Sequence, residues 1–223
     1  MTNSIPEIRD TDFLFVTGSN TTEAHPIIAM EMKRAIRRGA RLAVSDPRAI
    51  PLTEWADWHL QLKPGTDVWL LNAMAHVIVT EGLADEEFIA ENTEAFESVR
   101  DTVLRYPPEE AEKVTGVPAE LIREVARGYA TAEKAGIYYT LGITEHTTGT
   151  DNVYALSNLV LMTGNLGKRS AGMNPLRGQN NVQGANDSGA TPVFYPGYQN
   201  VTDPEVAAKF AAAWGVPQEP EPG

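Results

Sequence analysis

The sequence predicts an α/β fold, a parallel sheet flanked by helices, followed by the start of a second α/β domain. Three observations carry the prediction. Short strand-like runs (Phe13-Leu14-Phe15-Val16, Leu42-Ala43-Val44, His59-Leu60-Gln61-Leu62 and Gly136-Ile137-Tyr138-Tyr139-Thr140) alternate with longer stretches of helical periodicity. Turn-forming residues such as Gly18, Asp46 and Gly65 follow the early runs. Strands that alternate with helices along a chain lie parallel, because each helix carries the chain back over the sheet.

The first run ends in Thr17-Gly18-Ser19-Asn20 and reads as a buried strand followed by a turn. Pro26 then opens a helix over residues 27–38, since proline at a first helical position forfeits no internal hydrogen bond. Ile27, Met30 and Ile36 form its predicted apolar face. Lys33, Arg34, Arg37 and Arg38 gather at its C-terminal end, where the helix dipole favours cations, and Gly39 closes it. Residues 42–44 form the second strand, which runs into Ser45-Asp46-Pro47-Arg48. Residues 59–62 form the third, which ends at Pro64-Gly65-Thr66-Asp67. Asp67 is the predicted N-cap of a helix over residues 68–80. Residues 84–112 are acidic and helical with a break at Tyr106-Pro107-Pro108, and residues 118–129 form a further amphipathic helix. Residues 136–140 read as another strand and residues 152–162 as a helix with Leu156, Leu159 and Val160 inside. The apolar residues of 68–74 and 156–162 read as core. The Pro-, Glu- and Gly-rich residues 217–223 read as a frayed or interrupted end. The expected division is residues 1–179 as one domain and 180–223 as the incomplete start of an adjoining one.

Composition excludes several classes. At 42% hydrophobic and 22% charged residues the chain is of ordinary globular type. It contains no apolar run of membrane-spanning length and no secretory-signal pattern, so direct membrane insertion is not expected. A net charge of −12 argues against nucleic acid as a partner. It leaves room for an anionic ligand held by a local field from Arg48, Arg177 and helix N-termini. With no cysteine the chain can form neither a disulfide nor a thiolate-held iron–sulfur cluster of its own. His25, His59, His76 and His146 are too scattered for a metal site, and none is expected within the chain.

In parallel α/β sheets ligands gather beyond the C-terminal ends of the strands. The turns at residues 18–24, 45–48, 65–67 and 141–146 all fall there, so four loops can converge on one ligand. Thr17-Gly18-Ser19-Asn20 places a glycine where backbone amides can face a diphosphate, with Ser19 and Asn20 as further donors. It is not a G-x-G-x-x-G fingerprint, and a plain strand-to-helix turn reads the same way. Asp46 stands where an acid meets ribose hydroxyls or base nitrogens in dinucleotide folds, and Arg48 can stack on a base or hold phosphate. The alternative is a turn in which the aspartate only caps the next segment. His25, His59 and His76 read as structural or surface residues. Glu145-His146 follows a strand end and reads equally as site or loop.

The run Asn174-Pro175-Leu176-Arg177-Gly178-Gln179-Asn180-Asn181-Val182-Gln183-Gly184-Ala185 buries little apolar surface. It offers the Arg177 guanidinium, the amides of Asn174, Gln179, Asn180, Asn181 and Gln183, and two glycines that permit close backbone approach. That chemistry suits a polyanion or an oxyanion, although an ordinary surface loop can have the same composition. The run resembles the active-site loop of molybdopterin-dependent formate dehydrogenases, in the dimethyl sulfoxide reductase family. Thr17-Gly18-Ser19-Asn20-Thr21-Thr22-Glu23-Ala24-His25-Pro26, Ser45-Asp46-Pro47-Arg48, Gly65-Thr66-Asp67, Leu141-Gly142-Ile143-Thr144-Glu145-His146 and Leu161-Met162-Thr163-Gly164-Asn165-Leu166-Gly167-Lys168 resemble further motifs of that family, in the family's order.

The resemblance implies a Rossmann-like domain that binds molybdopterin guanine dinucleotide. Gly18, Ser19, Asn20 and Glu23 are implied as its holders. Ser45, Asp46, Arg48, Gly65 and Asp67 are implied as guanosine contacts, with Leu141, Gly142 and Glu145 beside the pterin. Arg177 is implied as the formate ligand through charge-assisted hydrogen bonds, and Gln179 as its support or part of a proton path. The implied reaction is two-electron oxidation of formate to carbon dioxide with a molybdenum or tungsten bis-molybdopterin guanine dinucleotide. The implied partners are the remainder of the catalytic subunit and iron–sulfur electron-transfer subunits. By the same resemblance, residues 1–10 align just beyond the family's metal-ligating cysteine or selenocysteine, and the [4Fe-4S] segment belongs to the full-length subunit only. The chain is therefore expected to be a central fragment, inactive alone and cytoplasmic. Asn186-Asp187-Ser188-Gly189 departs from the family's usual Cys-Asp-Met-Gly. The competing expectations are another molybdopterin oxidoreductase, such as a nitrate reductase, and a stand-alone nucleotide-binding or scaffold domain.

Overall fold

The computed structural model describes residues 1–216 of the 223-residue chain, so the reading of residues 217–223 lies outside it. The described chain falls into two compact units, Met1–Leu176 and a second that begins at Arg177. In the first, a 3-10 turn (Ile5–Asp10) leads into β1 (Phe13–Thr17), α1 (Thr21–Ala24), α2 (Pro26–Arg37) and β2 (Arg41–Ser45). A second 3-10 turn (Pro51–Trp55), β3 (Trp58–Leu60) and α3 (Asp67–Thr80) follow. Then come α4 (Glu86–Asn92), α5 (Phe96–Val103), α6 (Pro108–Thr115), α7 (Ala119–Thr131), β4 (Ala135–Tyr139), α8 (Leu141–Thr144), α9 (Gly149–Met162) and β5 (Gly172–Pro175).

The strands form one parallel sheet in the order β3-β2-β1-β4-β5. Alternate residues of each strand serve opposite faces. Phe13, Phe15, Ile137 and Tyr139 enter a core closed by Leu70, Leu71 and Met74 of α3, Ile122, Val125 and Tyr129 of α7, and Leu156, Leu159 and Val160 of α9. Leu14, Val16, Leu42, Val44 and Tyr138 enter a second core beneath Ile28, Met32 and Ala35 of α2. Burial on both faces is what makes the strand sequences continuous apolar runs.

Several expectations are corrected. On α2 the buried residues are Ile28, Ala29, Glu31, Met32 and Ala35, whereas Ile27 and Met30 are 63% and 46% exposed. Both sets keep helical spacing, and the side that meets Leu14 and Val16 decides between them. Asp67 is not an N-cap: the cap position is Thr66, whose Oγ1 donates to the Lys63 carbonyl at 2.6 Å, and Asp67 is the first helical residue. Its charge still complements the helix dipole from the first turn. β3 begins one residue earlier than expected and ends at Leu60. β5 was not expected at all. Its sequence Gly-Met-Asn-Pro has no β-branched residue, and pairing forms it: β4 on one side and, on the other, Thr2, whose N–H donates to the Met173 carbonyl at 3.1 Å.

The second unit contains α10 (Val182–Asp187), a two-stranded antiparallel ribbon of β6 (Phe194–Tyr195) and β7 (Gln199–Asn200), and α11 (Pro204–Trp214). Tyr195 stacks on Phe210 with centroids 4.5 Å apart, and Trp214 packs against both rings. Asp203 caps α11 by accepting from the N–H of Glu205 at 2.9 Å. The Asn174–Ala185 run is thus not wholly a loop: β5 takes its start and α10 its end.

Candidate functional site at the strand ends

Four loops leave the C-terminal ends of β1, β2, β3 and β4, and backbone hydrogen bonds tie three of them together. The Gly18 N–H donates to the Ser45 carbonyl at 3.0 Å, and the Gly18 carbonyl accepts from the Gly142 N–H at 3.2 Å and the Thr140 hydroxyl at 2.6 Å. Gly18 has φ +55°, which glycine adopts without penalty, and a Cβ there would lie 2.6 Å from the Gly142 carbonyl carbon. Two main chains therefore cross at contact distance, and glycine is the residue that permits it.

The β2 loop is held from below by β3. His59 Nε2 lies 2.9 Å from the Asp46 carbonyl, and Gln61 Nε2 donates to the Pro47 carbonyl at 2.9 Å. Within the loop, Asp46 Oδ1 accepts from the Arg48 N–H at 2.9 Å, so the turn closes on itself. The β3 and β4 loops meet where His146 Nε2 approaches Asp67 Oδ2 at 4.0 Å while bonding the Gly142 carbonyl at 2.8 Å.

This end of the sheet buries polar groups that packing alone does not call for. Ser19, Thr21, Ser45, Asp46 and Asp67 are all buried. Ser19 and Thr21 share a hydroxyl–hydroxyl bond of 2.8 Å. Ser45 Oγ, Asn20 Oδ1 and Thr22 Oγ1 are buried with no hydrogen-bond partner among the described residues. Each such atom costs about 1–3 kcal/mol until something bonds it. Burial pushes the Asp67 carboxyl above the ordinary aspartate range and Asp46 adds to the rise, while His146 opposes it. Around these groups Glu23, Gly65, Leu141, Gly142 and Glu145 are exposed, and Gly65 has φ +80° with open space where a Cβ would point. The surface thus combines buried acceptors, orphaned hydroxyls and the cation of Arg48. That donor set fits the sugar and base of a nucleotide.

Arg177 and Gln179 belong to the second unit. Arg177 is the residue after Leu176, whose N–H donates to the Tyr139 carbonyl at 2.8 Å, and Gln179 is exposed. His25 stands at the N-cap position of α2, and His76 Nδ1 bonds the Val103 carbonyl at 3.1 Å. Sequence reasoning missed the loop-holding parts played by His59, Gln61 and Thr140. The i, i+2 spacing of His59 and Gln61 was their available signal, since it puts both on one side of an extended chain. Two hollows of about 580 and 540 Å³ lie at the opposite, N-terminal end of the sheet, both lined by Arg9, Asp10 and Arg169. Two of their cations are in ion pairs, Arg9 with Glu31 at 3.0 Å and Arg38 with Asp10 at 2.8 Å. At the strand ends, by contrast, three loops tied to one another bring orphaned hydroxyls and buried carboxyls together.

The sequence profile of the molybdopterin oxidoreductases matches residues 1–219. The chain belongs to that family. It is 50% identical over 223 residues to a formate dehydrogenase 1 subunit alpha from Methanococcus maripaludis, covering all of this chain and 33% of that protein. It is 50% identical over 220 residues to formate dehydrogenase H of Escherichia coli, covering 99% of this chain and 31% of the other. The chain therefore spans about a third of the length of these relatives. Among solved structures it resembles acetylene hydratase from Pelobacter acetylenicus, with a TM-score of 0.67, 28% identity, and coverage of 74% of this chain and 24% of the other. A family of molybdopterin enzymes implies a molybdopterin cofactor, and the α/β fold is the one the sequence predicts. Among the described residues no helix is long and apolar enough to cross a membrane.

Proposed function

We propose that this chain is the part of a formate dehydrogenase catalytic subunit that holds a molybdopterin guanine dinucleotide and the formate carboxylate. The observation that carries the reading is the identity of about half its residues with formate dehydrogenase subunits along its whole length. The buried, unsatisfied polar groups at the strand ends support a nucleotide ligand there. In this reading Gly18, Ser19, Asn20 and Glu23 line the dinucleotide, while Ser45, Asp46, Arg48, Gly65 and Asp67 take its guanosine. Leu141, Gly142 and Glu145 flank its pterin end. Arg177 binds formate through charge-assisted hydrogen bonds and fixes the direction of its C–H bond, and Gln179 supports that arginine or forms part of the proton's path by hydrogen bonding. When bound, the bis-molybdopterin guanine dinucleotide with its molybdenum or tungsten supplies the two-electron acceptor. The metal-ligating cysteine or selenocysteine, a [4Fe-4S] cluster and the electron-transfer subunits are assigned to the rest of the assembly, and the cytoplasm is the proposed compartment.

The test is Arg177→Lys in the native polypeptide that carries this chain. Lysine keeps the charge but loses the two-pronged donor geometry, and kcat/KM for formate falls by about 100-fold. Wild-type kcat/KM in that variant would remove Arg177 from formate binding.

A further inference from the structure

We infer that His59 and Gln61 are positioning residues of the nucleotide site, holding by hydrogen bonds to two successive carbonyls the turn from which Asp46 and Arg48 reach the ligand. The part that concerns the ligand rests on the function proposed above; the clamp itself rests on geometry. β2 and β3 pair through Ala43, Val44 and Ser45, and the ladder stops there. Beyond Ser45 the chain turns away, and Pro47 has no N–H to offer a neighbouring strand. The side chains of β3 and the residue after it take over. His59 Nε2 meets the Asp46 carbonyl at 2.9 Å, and Gln61 Nε2 meets the Pro47 carbonyl at 2.9 Å.

A carbonyl oxygen only accepts, so His59 must carry its proton on Nε2. On the other side of the turn, Asp46 Oδ1 accepts from the Arg48 N–H at 2.9 Å and from Arg48 Nε at 3.5 Å. The turn is thus held twice: its carbonyls by β3, and its N–H by its own aspartate. Asp46 is buried and Oδ2 carries no hydrogen bond among the described residues, so this oxygen is presented at a fixed position. Its Oδ1 is already engaged, so the orientation of Oδ2 depends on the turn, and the turn depends on His59 and Gln61.

The experiment compares wild type with His59→Phe, which keeps a flat ring without the donor, and with His59→Gln, which returns an N–H at about the same reach. Two readouts are taken by NMR. The first is hydrogen exchange at the Arg48 amide, which needs no ligand. It accelerates about 10-fold or more in His59→Phe and stays near wild type in His59→Gln. The second is a titration with GDP, whose apparent affinity falls about 10-fold in His59→Phe and returns in His59→Gln. Wild-type exchange at Arg48 in His59→Phe overturns the clamp. An equal loss of GDP affinity in both variants overturns the donor's role, because a structural effect of losing histidine predicts that result. If wild type itself shows no saturable GDP shift, the nucleotide reading fails, while the exchange readout still decides the clamp.

Discussion

At the scale of single residues, Asp67 carries a conflict between folding and binding. A carboxylate buried at the first turn of α3 is costly, and burial raises its pKa despite the proximity of His146. The folded protein therefore holds the Asp67 proton more tightly than the unfolded chain does. Between the ordinary aspartate pKa and the raised folded value the native state binds more protons, so stability falls as pH rises through that window and is restored below it. Asp67→Asn removes the buried charge while keeping shape. It raises stability at pH 7 by about 0.5–1 kcal/mol, the lower part of the range for a single stabilising substitution. The gain shrinks as pH drops below the folded pKa, because wild-type Asp67 is then neutral as well. Urea unfolding of both proteins at pH 7 and at about pH 3, below the ordinary aspartate pKa, checks this, and a gain that is the same at both values would show that the charge is not the cause. The variant that folds better has lost a negatively charged acceptor, so a ligand that donates to Asp67 binds it more weakly.

At the scale of elements, the crossing of the β1 and β4 loops explains why the site has its shape. The Gly142 N–H donates to the Gly18 carbonyl, and a Cβ on Gly142 would come within 2.5 Å of that carbonyl oxygen. Gly18→Ala places a side chain at φ +55° and drives it into Gly142, so unfolding free energy drops by about 2–3 kcal/mol. Guanidinium unfolding reads the loss, and a change below about 0.5 kcal/mol, the range of an ordinary surface substitution, would mean the loops separate freely. The same element scale shows what a sequence can reveal. β1, β2 and β4 were legible because strands buried on both faces are apolar throughout. The positions of the four loops followed from the strands, since parallel topology fixes which end they occupy. The buried face of α2 was not legible, because Ile27 and Ile28 are neighbours of equal hydrophobicity and the adjoining sheet alone separates them. β5 was not legible either, because its strand character comes from β4 and Thr2 rather than from its own residues. Nor did the sequence tell an N-cap from a first helical residue at Asp67, where a shift of one position decides.

At the scale of the whole molecule, the two units differ in what can hold them folded. Met1–Leu176 contains the five-stranded sheet and apolar cores on both of its faces. Among its described residues the second unit has two-residue strands, one buried aromatic residue (Tyr195) with its ring neighbours, and one buried position (Ala207) on α11. The free energy needed to open an amide follows the apolar area that must be uncovered to expose it, so the units should not exchange hydrogen alike. Amides of β1 and β4 exchange only through global unfolding and show the full denaturant dependence. Amides of α11 exchange through a smaller opening, at a free energy lower by about 2 kcal/mol or more and with a shallower denaturant slope. Native-state exchange across a series of guanidinium concentrations below the transition separates the two classes. A single free energy and a single slope for β1, β4 and α11 would mean that the chain unfolds as one cooperative body. Arg177 lies at the first position of the weaker unit, so such cooperativity would also give the candidate formate ligand the rigidity of the sheet.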